Sequence, residues 1–114
     1  MPARRALLAL PLLALPFVAL RPRAAWADAD AALDALLARH VVPHPDGVTR
    51  LRYAAWKASA ADMGALEGWI AEAATRRPSA MLRAEAFAFW ANLYNALTLK
   101  VVLERYPVRS IRDI

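Results

Sequence analysis

The stretch that most constrains the fold runs from residue 85 to residue 106, EAFAFWANLYNALTLKVVLERY. It contains no glycine or proline, and Pro107 ends it because proline lacks an N–H and disfavours helical geometry at the preceding residue. Apolar residues recur at helical spacing on every side, which predicts one helix over residues 85–105 that is buried in a core. Polar side chains along the stretch argue against a position in lipid: Glu85, Asn92, Asn95, Lys100 and Glu104.

Two shorter amphipathic helices are predicted before this stretch. Leucines at helical spacing indicate a helix over residues 28–42. Ser59 and Asp62 have the spacing of a helix N-cap. The apolar residues that follow recur every three or four positions and indicate a second helix that ends before Pro78. Short helices of this size cover about two faces of the central one, and we expect the uncovered apolar patch to mark an interaction surface or an aggregation-prone surface.

The remaining segments add little regular structure. Residues 48–56 alternate apolar and polar side chains and indicate either a short strand near residues 48–54 or an extended arm. Ser110 and Asp113 repeat the Ser-x-x-Asp spacing and indicate the start of a further helix, so a chain that stops at Ile114 is expected to be cut short. We therefore predict a mainly α fragment with three to four helices around one buried central helix.

Residues 1–27 have the three-part pattern of a cleavable export signal. Two arginines precede an apolar run over residues 6–20, and Ala25-Trp26-Ala27 supplies a small-residue cleavage motif before Asp28. The run has 15 residues, whereas a spanning helix needs about 20, so cleavage between Ala27 and Asp28 is predicted rather than a stable membrane anchor. The mature protein is then periplasmic or secreted. The Arg4-Arg5 pair is compatible with both twin-arginine and general secretory export.

Charge and cysteine content exclude several function classes. Removing residues 1–27 lowers the net charge from +5 to +1, because 11 basic and 10 acidic residues remain. No basic stripe survives, so nucleic-acid binding is not predicted. The absence of cysteine rules out a thiol nucleophile or a cysteine-ligated metal within the chain. Pro43 separates His40 from His44, so both are predicted to be loop or cap residues, and neither a metal site nor a cofactor is predicted.

The candidate functional residues lie on the central helix. Asn92 and Asn95 are three apart and share one side of it, where buried amides require hydrogen-bond partners. The structural interpretation is that they tie the helix to a neighbouring loop, and the functional one is that an amide orients a catalytic histidine or binds a substrate carbonyl. Trp90 and Tyr94 are one turn apart and are interpreted first as core residues and second as a ligand platform.

Two runs on the chain resemble a known family. Residues 88–98, AFWANLYNALT, and residues 106–114, YPVRSIRDI, are similar to AFWINLYNALT and YPVKSIRDI of the domain of unknown function 547 family. The chain departs from that pattern at Ala91, where the family usually has isoleucine. In the family the pattern continues beyond Ile114, through an acidic-His helix and a segment resembling HFALNC. Upstream features of the family also match this chain: Leu36-Leu37, Gly47 and Tyr53.

The resemblance implies that residues 28–114 are the N-terminal part of a longer domain whose complete fold is α+β. The family's activity is not settled, so the first expectation is an exported binding or accessory module without an assigned activity. The second is a thiol-type hydrolase whose histidine and cysteine lie beyond Ile114. In that case the only residues of this chain to which the resemblance assigns a role are Asn92, Tyr94 and Asn95. The fragment alone is expected to be inactive. Its partners are unknown, apart from docking to the C-terminal part of the domain.

Overall fold

The computed structural model describes residues 26–114. Of the predicted export signal, only Trp26 and Ala27 fall within these residues, and the remainder lies outside them. The first described element is helix α1, which covers residues 26–40, so the predicted cleavage bond lies inside it. The predicted helix over residues 28–42 is thus confirmed with slightly different ends.

A short antiparallel hairpin follows α1. Strand β1 (Val41–Val42) pairs with β2 (Arg50–Leu51), and Val41 lies opposite Leu51. Gly47 adopts a φ of 81° in the intervening turn, a left-handed geometry that favours glycine, and its N–H donates to the carbonyl of His44 at 2.9 Å. The strand predicted near residues 48–54 is therefore present, but it is only two residues long.

Helices α2 (Tyr53–Ala58) and α3 (Ala60–Ala73) are separated by Ser59. The Ser59 hydroxyl accepts a hydrogen bond from the backbone N–H of Asp62 at 3.1 Å, which confirms the predicted N-cap. The extended arm considered for residues 48–56 is wrong from Tyr53 onward, because Trp56 is fully buried on the inner face of α2.

Helix α4 (Arg83–Arg105) is the longest element, with 23 residues, and follows a short 3-10 helix at Pro78–Ala80. Its C-terminal end is capped from α2, where Lys57 Nζ donates to the carbonyls of Glu104 at 3.2 Å and Tyr106 at 2.6 Å. A cation at this end also interacts favourably with the helix dipole. Ser110 caps a second 3-10 helix, Ile111–Asp113, instead of a longer α-helix.

The core is built from one side of each of the four α-helices. The mainly helical architecture that was predicted is confirmed, and the two-stranded sheet is the only sheet within residues 26–114. α4 contributes to this core with one side only, so the prediction that the helix is buried as a whole is wrong. The expectation that its neighbours leave part of it uncovered is confirmed. The buried apolar residues are Leu33, Leu36, Trp56, Leu66, Trp69, Ala73, Phe89, Ala96, Leu99 and Leu103.

Candidate functional site

The most prominent surface feature is a row of exposed apolar side chains along α4, which we call the α4 stripe. Each keeps a large part of its surface open: 78% for Phe87, 56% for Trp90, 72% for Tyr94, 43% for Leu97 and 40% for Val101. The prediction that Trp90 and Tyr94 belong to the core is therefore wrong. The adjacent Phe89, only 6% exposed, supplies the buried aromatic ring instead.

The spacing of the α4 stripe is that of a helix–helix seam. Its members are separated alternately by three and four residues, which is the a/d pattern by which one helix packs its side chains between those of another. No charged residue lies between Glu85 and Lys100, so the surface along this part of the helix is uncharged. Burial of aromatic side chains on such a surface contributes strongly to association.

α4 also has the length and composition of a membrane-spanning helix. It is the one helix among residues 26–114 that meets both conditions. Only 22% of its apolar 18-residue stretch is buried inside the protein. Core helices of globular proteins meet the same conditions, and α4 contributes Phe89, Ala96 and Leu103 to the core. One helix of this length and composition is weak evidence for a membrane span.

The two asparagines lie about one helical turn from each other and away from the α4 stripe. Both side chains are exposed, and neither forms a hydrogen bond with another described residue. The predicted burial of Asn92 and Asn95 is thus wrong: Asn92 shares the side of α4 that carries the buried Phe89 and Ala96 but faces an open cleft, and Asn95 is exposed. Asn92 lines a cleft at the N-terminal half of the helix, whereas Asn95 points to open surface. Their amides are available to a bound partner.

The cleft beside Asn92 has a volume of about 310 Å³. Phe89 and Trp26 form its apolar walls, and Glu85 lies at its edge. This volume is near the lower limit for small-molecule sites. Because Trp26 precedes the predicted cleavage bond, removal of the signal would also remove one wall of the cleft.

At the base of the cleft, Arg76 forms an ion-pair cluster that ties α1 to α3. Its side chain is 4% exposed and contacts Asp30 at 2.8 Å and Glu72 at 2.6 Å. Burial by itself would lower the pKa of Arg76, but the hydrogen bonds to Glu72 and Asp30 outweigh it and raise the pKa. The guanidinium also lies within 6 Å of three aromatic rings: Trp26 at 5.6 Å, Trp69 at 5.6 Å and Phe89 at 5.9 Å.

A second buried polar cluster joins the end of α1 to the start of α3. His40 is 6% exposed, and its Nε2–H donates to the Asp62 carboxylate at 2.8 Å. The imidazole stacks on Trp56 with ring centroids 4.6 Å apart, and Trp56 Nε1–H donates to the Asp62 backbone carbonyl at 3.2 Å. His40 Nδ1 is buried with no hydrogen-bond partner among the described residues.

This arrangement corrects the prediction for one of the two histidines. His44 lies in the hairpin turn as expected, with Nδ1 3.0 Å from Asp46, but His40 is a buried core residue rather than a loop or cap residue. His40 and Asp62 are 22 residues apart, so no local motif could pair them. The His40–Asp62 pair links α1 to α3. Because the imidazole is enclosed, it offers no open position to a substrate.

Comparison with models of known families, with curated proteins and with solved structures found no match. Arg76 is already paired with two carboxylates, and His40 is enclosed. Of the features within residues 26–114, the α4 stripe presents the largest uncovered row of apolar side chains to a partner.

The Asp62 carboxylate makes a pH-dependent contribution to stability. Its pKa lies below the ordinary value, chiefly because of the hydrogen bond with His40; burial opposes the shift and Arg39 supports it. A pKa lowered by folding means that the carboxylate stabilises the fold above about pH 4, and that this contribution is lost as the pH falls through the folded-state pKa. We expect Asp62→Asn to lower the free energy of unfolding at pH 7. We also expect the variant to lose less stability than the parent as the pH falls.

Urea unfolding at a series of pH values between about 3 and 7 tests this expectation. Asp34→Asn is the matched control, because Asp34 is an exposed carboxylate without an ion pair among the described residues. Equal dependence on pH in the two variants would contradict the assigned role of Asp62.

Proposed function

We propose that this chain is an exported binding module of the domain of unknown function 547 type, and that the α4 stripe is its recognition surface for a helix of another polypeptide chain. The observation that carries the proposal is the exposure of Phe87, Trp90 and Tyr94 on one face of a regular helix. Tryptophan and tyrosine are enriched among the residues that dominate binding energies. Export is supported by the pattern of residues 1–27.

A helical partner fits the stripe better than an extended one. The alternating spacing of three and four residues suits the insertion of side chains from a second helix. An extended strand is normally recognised through the unpaired backbone groups of a sheet edge. The hairpin strands here are two residues each, so they provide little edge for that mode.

The second candidate is a thiol-type hydrolase completed by a docked polypeptide. The amides of Asn92 and Asn95 favour it, since both are exposed without a partner among the described residues and such an amide could orient a catalytic histidine from that polypeptide. The chain has no cysteine, so the nucleophile would come from the partner, as in the part of the resembled family that follows the YPVRSIRDI motif. The two candidates use different sides of α4: helix recognition uses the α4 stripe, and the hydrolase uses the side that carries Asn92.

Photo-crosslinking in the native cell tests the binding function directly. A photoreactive phenylalanine analogue replaces Tyr94, and the same analogue at Ala61, an exposed position on α3, is the control. We expect one discrete adduct from position 94, none from position 61, and loss of the adduct when Trp90→Glu is added. Identical adducts from positions 94 and 61, or no adduct from position 94, would refute the proposed surface.

A further inference from the structure

We propose that Trp26 occupies a position in the cleft over Arg76 that accepts an aromatic side chain of another polypeptide once residues 1–27 are removed. The cleft lies on the opposite side of α4 from the α4 stripe, so this inference goes beyond the recognition surface proposed above. It rests on the export part of the proposed function, because the position is vacated only when the bond between Ala27 and Asp28 is cut.

Trp26 contacts the domain through its ring and its backbone together. It is partly buried, although it precedes the predicted cleavage bond. The centre of its ring lies 5.6 Å from the guanidinium carbon of Arg76, and its carbonyl accepts a hydrogen bond from Arg76 Nη2 at 3.4 Å. A guanidinium attracts the face of an aromatic ring. Trp26 is therefore held in the way that an aromatic residue of a bound polypeptide would be held.

The groups that hold Trp26 belong to residues 28–114 and do not depend on it. The Arg76 side chain is 4% exposed and is fixed by Glu72 at 2.6 Å and by Asp30 at 2.8 Å. Trp69 Nε1–H in turn donates to Asp30 at 3.0 Å. We therefore expect the guanidinium to keep its position after residues 1–27 are removed. A group that is already in place loses little freedom when a ligand binds.

The other groups of the cleft fit the backbone on either side of an aromatic residue. Glu85 and Asn92 both line the cleft, and both are exposed without an ion pair or hydrogen bond to another described side chain. A carboxylate accepts from a peptide N–H, and an amide both donates and accepts. The two residues are seven apart on α4, about 10 Å along the helix, which is the span of about three extended residues.

An aromatic ligand fits the vacated position better than a cationic one. The Arg76 guanidinium lies 5.6 Å from the ring centre of Trp69 and 5.9 Å from that of Phe89, so these ring faces already have a cation. A second positive charge beside Arg76 would be repelled. The ring of an incoming residue would instead replace the indole of Trp26 on the guanidinium.

The full chain with Trp26→Ala tests the proposal, because this substitution vacates the position without cleavage. The probe is N-acetyl-L-tryptophanamide, which has one indole ring and an amide on each side of it. Its titration is followed by the NMR signals of Arg76 Nε–H and Trp69 Nε1–H. We expect a dissociation constant at least about tenfold lower for Trp26→Ala than for the parent, in which the tethered indole competes with the probe.

Two controls make the titration specific. N-acetyl-L-alaninamide has the same amides without the ring and should leave both signals unchanged. Trp90→Ala removes the same side chain from the α4 stripe and should bind the indole probe as weakly as the parent does. Equal affinity of Trp26→Ala and the parent would overturn the proposal. A Trp26→Ala variant that is unfolded by circular dichroism would also overturn it, since the position would not persist without Trp26.

The mass of the chain recovered from the native cell separates this inference from the proposed export. A chain that still carries Trp26 would overturn both the predicted cleavage and the release of the position. A chain that begins at Asp28, combined with a Trp26→Ala variant that does not bind the probe, would overturn only the inference. Neither result changes the adduct expected from position 94, so the recognition surface on the α4 stripe is tested independently.

Discussion

Replacing Trp56 by alanine is expected to lower the free energy of unfolding by about 3–5 kcal/mol, the usual cost of removing a large buried aromatic side chain. Trp56 is fully buried, stacks on His40 and donates a hydrogen bond to the Asp62 carbonyl. Domains of this size have total stabilities of about 5–15 kcal/mol, so the variant should be at the margin of folding. Urea unfolding followed by circular dichroism measures the loss.

Two variants make the Trp56 experiment specific. Trp56→Phe keeps a ring beside His40 and loses the indole N–H, so its cost should be well below that of the alanine variant. Trp90→Ala removes the same side chain from an exposed position on α4 and should change stability little. A loss of similar size for Trp90→Ala and Trp56→Ala would contradict the description of α4 as buried on one side only.

That contrast also marks the limit of sequence-based prediction for this chain. The N-cap at Ser59, the end of α4 before Pro107 and the mainly helical architecture all follow from local spacing, and the structure confirms them. Burial on α4 does not follow from spacing, because every side of the helix is apolar. Phe89 and Trp90 are neighbours of similar character, yet only Phe89 is covered. Which side faces the core is decided by where the other helices pack.

The polar clusters illustrate the same limit. His40 pairs with Asp62 across 22 residues, and Arg76 pairs with Asp30 across 46. Neither spacing belongs to a motif, so the sequence contained no sign that these side chains meet. The Arg76–Glu72 contact was within reach of prediction, since residues four apart on a helix are neighbours. Local ion pairs were thus predictable, and the pairs that connect different helices were not.

Substitution of Arg76 by methionine is expected to lower the free energy of unfolding by about 1–3 kcal/mol. Breaking a fully buried ion pair costs about 3–5 kcal/mol because the remaining charge has no partner. The expectation here is smaller, since the Asp30 and Glu72 side chains are 41% and 27% exposed and water screens them. Methionine preserves most of the packing against Trp69 and Phe89, so the change isolates the lost charge.

Arg50→Met is the matched control for this experiment. Arg50 contacts Asp46 at 2.6 Å, as closely as Arg76 contacts Glu72, but both members of the Arg50–Asp46 pair are about half exposed. A solvent-exposed ion pair of that kind contributes little to stability, so distance alone does not determine the contribution of an ion pair. Adding Asp30→Asn to Arg76→Met should recover part of the loss, because it removes one of the two carboxylates left without a cation. An Arg76→Met variant as stable as the parent would contradict this expectation. It would mean that the cost of burying the guanidinium equals the attraction that the guanidinium gains from the two carboxylates. The cluster would then contribute to the geometry of the α1–α3 contact rather than to its stability.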